Sequence, residues 1–201
     1  MLLQIKKFSE KLLLPLAKKL IKVPANYFTL FGLISAIITF FGFIFHWLII
    51  IIVFLFITEF FDQLDGVVAR LQGPTLLGGF LDSTLDRIGD FFLFVGIIFG
   101  GYTTLEIGIL VLVGAFLTSY TRAKIEALGI DNLYGVGILE RTDRVPVLFI
   151  GSILQIWFTT AIWWTMIFLA VGTNITALHR IIYAFRKLPK KETERKESVK
   201  S

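Results

Sequence analysis

Residues 62–86 read DQLDGVVARLQGPTLLGGFLDSTLD, and this stretch places four aspartates inside or beside long apolar runs. Acidic side chains at membrane depth are costly, so four carboxylates in so short a stretch need a compensating partner. Asp62 and Asp65 are three residues apart and Asp82 and Asp86 are four apart, so each pair shares one face of a helix. Two such pairs facing each other would form an oxygen-rich pocket suited to hard divalent cations.

The composition of the whole chain indicates an integral membrane protein. Of 201 residues, 56% are hydrophobic, and the mean hydropathy is +0.80, which is typical of a chain with several membrane-length apolar runs. Cysteine is absent, which excludes disulfides, thiolate nucleophiles and cysteine-ligated metals. The N-terminus lacks the long apolar core and cleavage site of a signal peptide, so we expect it to remain.

The apolar runs predict an all-α integral membrane protein with six transmembrane helices. Their predicted limits are 28–46, 47–70, 79–101, 103–124, 145–158 and 160–180. Residues 1–22 alternate leucine with lysine at helical spacing, which predicts an amphipathic helix at the membrane surface. We therefore expect a six-helix domain at 23–185 and a disordered polar tail at 186–201.

The distribution of cations predicts the orientation in the membrane. The 20 Lys and Arg residues fall into four groups, at 6–22, 70–87, 122–144 and 180–200. The connections near His46, Gly101 and Phe158 carry none. Because cytoplasmic connections are enriched in Lys and Arg, this alternation places both termini and the aspartate side in the cytoplasm.

The aspartate motif resembles the signature of the CDP-alcohol phosphotransferase family, D-x2-D-G-x2-A-R-x8-G-x3-D-x3-D. Every specified residue is present, and the one departure is a spacer of seven residues, 71–77, between Arg70 and Gly78. Residues 24–29, PANYFT, are similar to the Pro-Asn-x-x-Thr start of the first span in this family. Residues 119–126 and 140–144 resemble segments of its inositol-phosphate-using branch, so the likeness covers residues 20–180.

The resemblance implies an enzyme that moves a phosphatidyl-type group from a CDP-linked lipid, CDP-diacylglycerol or CDP-archaeol, to an alcohol and releases CMP. It also implies a homodimer and two divalent cations, Mg²⁺ or Mn²⁺. The implied metal ligands are Asp62, Asp65, Asp82 and Asp86. Asp86 is in addition the candidate catalytic base for the acceptor hydroxyl. The implied contacts to the CDP group are Asp62, Asp65, Gly66, Ala69, Arg70, Gly78, Asn26 and Thr29.

The acceptor is predicted from a basic cluster at the cytoplasmic ends of the fourth and fifth segments, formed by Arg122, Lys124, Arg141 and Arg144. Such a cluster suits a phosphorylated alcohol, which accepts charge-assisted hydrogen bonds. This favours inositol phosphate or glycerol phosphate over serine, choline or free inositol, and the branch resemblance favours inositol phosphate.

Two other classes of function stay open at this stage. A divalent-cation or proton-coupled transporter would also carry acids in its membrane helices. An inactive membrane scaffold is the third class, although the loss of an aspartate that would support it is not seen. Membrane lipids are expected around the protein, and a nucleic-acid partner is not expected.

Overall fold

The computed structural model describes residues 2–130, 133 and 136–200, with side chains described between residues 10 and 189. In this part of the chain all regular secondary structure is helical. The helices are α1 (Leu2–Lys19), α2 (Ala25–Ile44), α3 (Leu48–Gln72), α4 (Leu76–Phe99), α5 (Leu105–Ala127), α6 (Arg141–Leu154) and α7 (Ala161–Lys200). The predicted all-α fold is confirmed for the described residues, and each of the six predicted spans corresponds to one helix from α2 to α7.

A short turn separates the two aspartate pairs. The last turn of α3 is followed by Gly73, whose φ of 92° lies in the left-handed region that glycine adopts without strain. Pro74 follows and cannot continue the helix. Thr75 then caps α4, because its side-chain hydroxyl accepts a hydrogen bond from the Gly78 backbone N–H at 3.0 Å. The turn therefore returns the chain so that both aspartate pairs lie at the same end of the helices.

The start of α6 is fixed by a reciprocal cap. The Glu140 backbone N–H donates to Asp143 Oδ2 at 2.8 Å, and the Glu140 side chain accepts from the Asp143 backbone. This cap satisfies two backbone donors that would otherwise lack partners. As a result α6 begins at Arg141, four residues before the predicted segment 145–158.

The helices pack in two groups, which meet at α6 and also where α4 packs against α5. Helix α2 packs against α3 and α4, α5 packs against α7, and α6 contacts both α3 and α7. The core is apolar, with side chains such as Ile51, Leu55 and Ile97 fully buried. At Gly114 of α5, any β-carbon would overlap the side chains of Thr173 and Asn174 on α7. Glycine therefore permits the close approach of these two helices.

Helix α1 packs on α3 through its apolar side. Leu13 and Ala17 are buried against a cluster that includes Leu64, Val67 and Val68. The predicted amphipathic helix at 1–22 thus corresponds to α1.

The Gln72 side chain fastens the connection between α1 and α2 to the end of α3. Its Nε2 donates to the Ile21 carbonyl at 2.8 Å and to the Val23 carbonyl at 2.7 Å. Its Oε1 accepts from the Ala25 backbone N–H at 3.2 Å. One side chain therefore satisfies three backbone groups and fixes where α2 begins.

Three helices are long and apolar enough to cross a membrane by length and composition: α2, α5, and residues Ala161–Pro189 of α7. Helices α3 and α4 have 25 and 24 residues, which is long enough for a crossing, but each carries four charged residues toward the end that holds its aspartates. Helix α6 has 14 residues, which is short for a full crossing. These findings fit a membrane protein, and the count of six spans stays a prediction.

The backbone of α7 continues as helix through Lys200, whereas composition predicts disorder over 186–201. Lys, Arg and Glu are good helix formers, and extending an existing helix is far easier than starting one. The helical backbone therefore differs from the predicted disordered tail, while the division of the chain into domains stays a prediction.

Candidate active site

The acidic ends of α3 and α4 face each other across a pocket that α2 and α6 close on its other sides. Its polar lining consists of Thr29, Thr58, Glu59, Asp62, Asp65, Asp86, Asp90, Arg141 and Thr142. Gly32, Ala36 and Gly89 line the same pocket, so small residues leave room beside the carboxylates. The pocket thus combines five acidic side chains with one arginine.

Three of the four predicted metal ligands come together. Oxygen atoms of Asp62, Asp82 and Asp86 all lie within 4.8 Å of one another, and each residue is half-buried. An all-carboxylate oxygen set is what Mg²⁺ and Mn²⁺ prefer. The residues present therefore fit a divalent cation.

Asp65 lines the same pocket beside this trio. The residue is 4% exposed, its carboxylate interacts with Thr29, and its Oδ2 is buried without a hydrogen-bond partner. A buried carboxylate oxygen with no partner is costly, and a cation is the ligand that would compensate it. This orphaned oxygen supports the assignment of Asp65 to the metal group as well.

Arg141 reaches from α6 into the carboxylate group. Its guanidinium donates to Asp62 Oδ1 at 2.9 Å and also forms an ion pair with Asp86. The Arg141 side chain is 27% exposed and the Asp86 side chain only 8%. One of the four predicted acceptor residues therefore lies directly beside two predicted metal ligands.

Arg144 lies in a different place from the one the basic-cluster prediction requires. Its side chain is 1% exposed, and its guanidinium donates to Asp90 Oδ2 at 2.6 Å and to the Ala115 carbonyl at 3.1 Å. Because it follows Arg141 by about one helical turn, it lies deeper along α6. The structure therefore places Arg144 in the packing between α4, α5 and α6.

The other two predicted acceptor residues lie at the surface. Arg122 forms an ion pair with Glu126 at 2.9 Å and a longer one with Glu140 at 3.7 Å, and its side chain is 38% exposed. Lys124 is exposed. The four predicted basic residues thus occupy three environments instead of a single cluster.

The predicted CDP contacts lie around the turn between α3 and α4 and the start of α2. The position that a β-carbon would take at Gly78 is 3.4 Å from Asn26 Oδ1, so these two residues are neighbours. A β-carbon at Gly66 would lie 3.4 Å from Arg70 Nη1, so the guanidinium folds back over Gly66. Ala69 is half-buried on the same helix. Of the predicted CDP contacts, Thr29, Asp62 and Asp65 line the acidic pocket.

Arg70 pairs with an acidic residue that the sequence reasoning missed. Its Nη2 lies 3.0 Å from Glu10 Oε1 on α1, with side-chain exposures of 52% and 37%. The sequence does not single out Glu10, because the six lysines of the first 22 residues dominate that segment.

The position of Arg180 is also not evident from the sequence. A basic residue at the end of a span suggests an anchor at the membrane surface, yet its side chain is 2% exposed. It donates to the Val136 carbonyl at 3.1 Å and to the Thr118 carbonyl at 2.7 Å. No feature of the sequence near Arg180 signals this buried position.

Comparison with known proteins gives consistent matches. The family model for CDP-alcohol phosphatidyltransferase matches residues 22–132. The chain is 40% identical over 179 residues to the archaetidylinositol phosphate synthase of Methanothermobacter thermautotrophicus, over 87% of this chain and 89% of that protein. It is 36% identical over 139 residues to the phosphatidylinositol phosphate synthase of Mycolicibacterium smegmatis, over 64% of this chain and 61% of that protein.

Solved structures of the Mycobacterium tuberculosis phosphatidylinositol phosphate synthase share this fold. The form with CDP-DAG bound has a TM-score of 0.73 and 26% identity, over 85% of this chain and 92% of that one. The complex with manganese and citrate has a TM-score of 0.74 and 26% identity, over 86% and 88%.

Proposed function

The chain belongs to the CDP-alcohol phosphatidyltransferase family, and from this premise we propose that it transfers the phosphatidyl-type group of a CDP-linked lipid to inositol phosphate. The observation that carries the proposal is the group of Asp62, Asp82 and Asp86, with Asp65 and Arg141 in the same pocket. Carboxylates from two helices and one arginine form the kind of site that holds a pyrophosphate with its cations.

Asp62, Asp65, Asp82 and Asp86 would hold Mg²⁺ or Mn²⁺, cations that an oxygen-only donor set suits. When bound, two such cations neutralise the pyrophosphate and stabilise the charge that develops on the leaving group. The relative crystallised with manganese supports a divalent cation as the cofactor.

The reaction needs a proton acceptor beside the acceptor hydroxyl, and Asp86 is our assignment. The hydroxyl oxygen bonds to the phosphorus that carries the lipid, and its proton passes to the Asp86 carboxylate. The bond from that phosphorus to the bridging oxygen breaks, and CMP leaves with the electron pair. Asp86 lies within the trio and is 8% exposed, so it lies inside the pocket, where it can meet the hydroxyl.

The CDP group would be held between the end of α3 and the starts of α2 and α4. Asn26, Thr29, Gly66, Ala69, Arg70 and Gly78 would contact it, together with Asp62 and Asp65; the neighbouring positions of Asn26 and Gly78, and of Gly66 and Arg70, support this assignment. The glycines let phosphate oxygens approach the backbone closely, and the Arg70 guanidinium matches a phosphate through paired hydrogen bonds.

The acceptor assignment rests on Arg141, because its guanidinium lies at the carboxylates where the new bond forms. Arg122 and Lys124 are further candidates at the surface, and Arg144 is withdrawn from this role because it is buried in a pair with Asp90. The names of the relatives, which are inositol phosphate lipid synthases, support inositol phosphate over glycerol phosphate.

We place the enzyme in the membrane with six spans, with its termini and pocket on the cytoplasmic side. The alternation of basic connections supports this orientation. The pocket lies at the ends of α3 and α4 that carry these basic side chains. Their positive charge suits anionic substrates. A homodimer is part of the same proposal, since the family resemblance implies it.

The test is CMP release by the purified protein with Mn²⁺ or Mg²⁺. CDP-archaeol and CDP-diacylglycerol are each paired with inositol phosphate, glycerol phosphate, serine and free inositol. Turnover with inositol phosphate that EDTA abolishes is the expected result, and the faster donor identifies the lipid. Turnover only with glycerol phosphate would overturn the acceptor. No CMP from any pair, with a folded protein that binds Mn²⁺, would overturn the enzyme assignment in favour of a transporter.

A further inference from the structure

One face of α7 holds the chain that leads into α6. Gly172, Thr176 and Arg180 are spaced four residues apart, so they form a single stripe along α7, here named the α7 seam. In the connection between α5 and α6, the described residues that this seam contacts are Val136 to Glu140, which immediately precede the first residue of α6. The seam therefore lies directly upstream of Arg141.

Thr176 satisfies two backbone donors of this connection. Its Oγ1 accepts from the Ile138 N–H at 3.1 Å and from the Leu139 N–H at 2.9 Å, while its own hydroxyl donates to the Gly172 carbonyl at 2.8 Å. Thr176 itself is fully buried. A buried N–H without a partner is costly, so this one hydroxyl fixes the position of the connection along α7.

The connection passes unusually close to α7 at this point. A β-carbon at Gly137 would overlap the Thr176 methyl group, and the φ of Gly137 is 133°, a conformation that glycine adopts readily. A β-carbon at Gly172 would lie 2.9 Å from Leu139 Cδ1. Glycines on both sides therefore allow the Thr176 hydroxyl to reach the backbone donors.

Arg180, the last residue of the seam, contacts its neighbours through its guanidinium group. Its Nε donates to the Val136 carbonyl at 3.1 Å, its Nη1 donates to the Thr118 carbonyl of α5 at 2.7 Å, and its Nη2 lies 3.5 Å from Glu140 Oε1. Glu140 is the cap of α6. Arg180 thus connects α5, α7 and the cap that sets where α6 begins.

We propose that the α7 seam is a positioning device for Arg141, which sets how the guanidinium meets Asp62 and Asp86. The inference rests on the proposed function, because Arg141 is its acceptor residue. Arg141 follows the cap directly, so a shift of the connection moves its side chain relative to carboxylates on two other helices. Among the described residues, Thr176 bonds only to backbone groups and to neither of these carboxylates, so its effect on the site acts through Arg141.

A matched control lies on the same helix. Thr173 is as buried as Thr176, but its hydroxyl donates only to carbonyls of its own helix, Leu169 at 2.7 Å and Ala170 at 3.4 Å. Thr173→Val removes the same hydroxyl from α7 without releasing the connection. Thr176→Val removes the acceptor of two N–H groups while conserving shape.

The first test compares these two variants by KM and kcat for each substrate. Thr176→Val should raise the KM for inositol phosphate about tenfold or more and leave the KM for the CDP-lipid within about twofold, as expected when two N–H groups lose their partner. Thr173→Val should leave both KM values within about twofold. In an Arg141→Ala background the effect of Thr176→Val should disappear, because residues that act through one another are not additive. Equal effects in both backgrounds would overturn the inference.

A second readout needs no turnover. Arg141 lies beside two carboxylates of the trio, so withdrawing its charge should strengthen Mn²⁺ binding, measured by electron paramagnetic resonance titration. Arg141→Ala and Thr176→Val should both lower the Mn²⁺ dissociation constant, by about threefold or more, and the double variant should match Arg141→Ala. Unchanged Mn²⁺ binding in folded Thr176→Val would refute the positioning role. Absent CMP release by the unmodified protein would refute the proposed function alone, since this titration still reports on the seam.

Discussion

The buried pair of Arg144 and Asp90 allows a sharp test of what this arginine does. The guanidinium is 1% exposed and the Asp90 carboxylate 10%, with 2.6 Å between the paired atoms. Arg144 was predicted to bind the acceptor, and the structure instead makes it a connection between α4, α5 and α6. Arg144→Met keeps most of the side-chain volume and removes the charge, so it separates the two roles.

The magnitude follows from what the substitution leaves behind. Asp90 would keep its charge in a buried site and lose its strongest partner, and the Ala115 carbonyl would lose a donor. Breaking a buried pair from one side costs about 3–5 kcal/mol, whereas replacing both partners by apolar residues is often neutral. We therefore expect Arg144→Met to lower the free energy of unfolding by about 3–5 kcal/mol. The pair Arg144→Met with Asp90→Leu should recover most of that loss.

The assay is unfolding of purified protein in detergent micelles by titrated dodecyl sulfate, followed by tryptophan fluorescence. Arg122→Met is the control, because its side chain is 38% exposed and its ion pairs are at the surface. That control should stay within about 1 kcal/mol of the unmodified protein. If Arg144→Met is as stable as the control and raises only the KM for inositol phosphate, the structural role is refuted and the acceptor role restored.

Five further substitutions test the pocket and its surroundings. Asp86→Asn should reduce CMP release by a factor of about 100 or more, with an unchanged elution volume in size-exclusion chromatography; near-normal turnover would exclude it as the base. Arg141→Ala should raise the KM for inositol phosphate about tenfold or more. Lys124→Ala should raise the same KM less, because Lys124 is exposed. A change confined to the KM for the CDP-lipid would reject the acceptor role. Arg70→Ala should raise the KM for the CDP-lipid about tenfold, whereas Glu10→Gln should change it by less than about threefold. If both variants raise this KM equally, Glu10 holds Arg70 in place.

The sequence alone predicted the helices and the acidic pocket well. Long apolar runs predict the helices α2 to α5 and α7. The spacing of Asp62 and Asp65, and of Asp82 and Asp86, predicts the faces of α3 and α4 that carry the carboxylates. The turn at Gly73 and Pro74 follows from the conformations open to those two residues. These features depend on short stretches of chain, and short stretches are what a single sequence describes best.

The surroundings of the basic residues could not be predicted in the same way. Arg141 and Arg144 look equivalent in sequence, yet one reaches Asp62 and the other is buried against Asp90. Their difference depends on how far α6 is rotated and how deeply it lies against α3 and α4, and neither follows from local spacing. Arg180 shows the same limit, because its partners are 44 and 62 residues away along the chain.

The pair of Asp90 and Arg144 has a consequence for how the chain is made. Its members are 54 residues apart, so α4 leaves the ribosome well before α6. Under the six-span arrangement proposed above, α4 enters the bilayer with an acid whose partner has not yet been synthesised, and α6 is too short and too charged to insert by itself. When α6 follows, its Arg144 would pair with Asp90 of α4. Insertion of α6 and assembly of the pocket would then occur in the same step. A chain that stops before α6 should accordingly be recognised as unfinished and degraded.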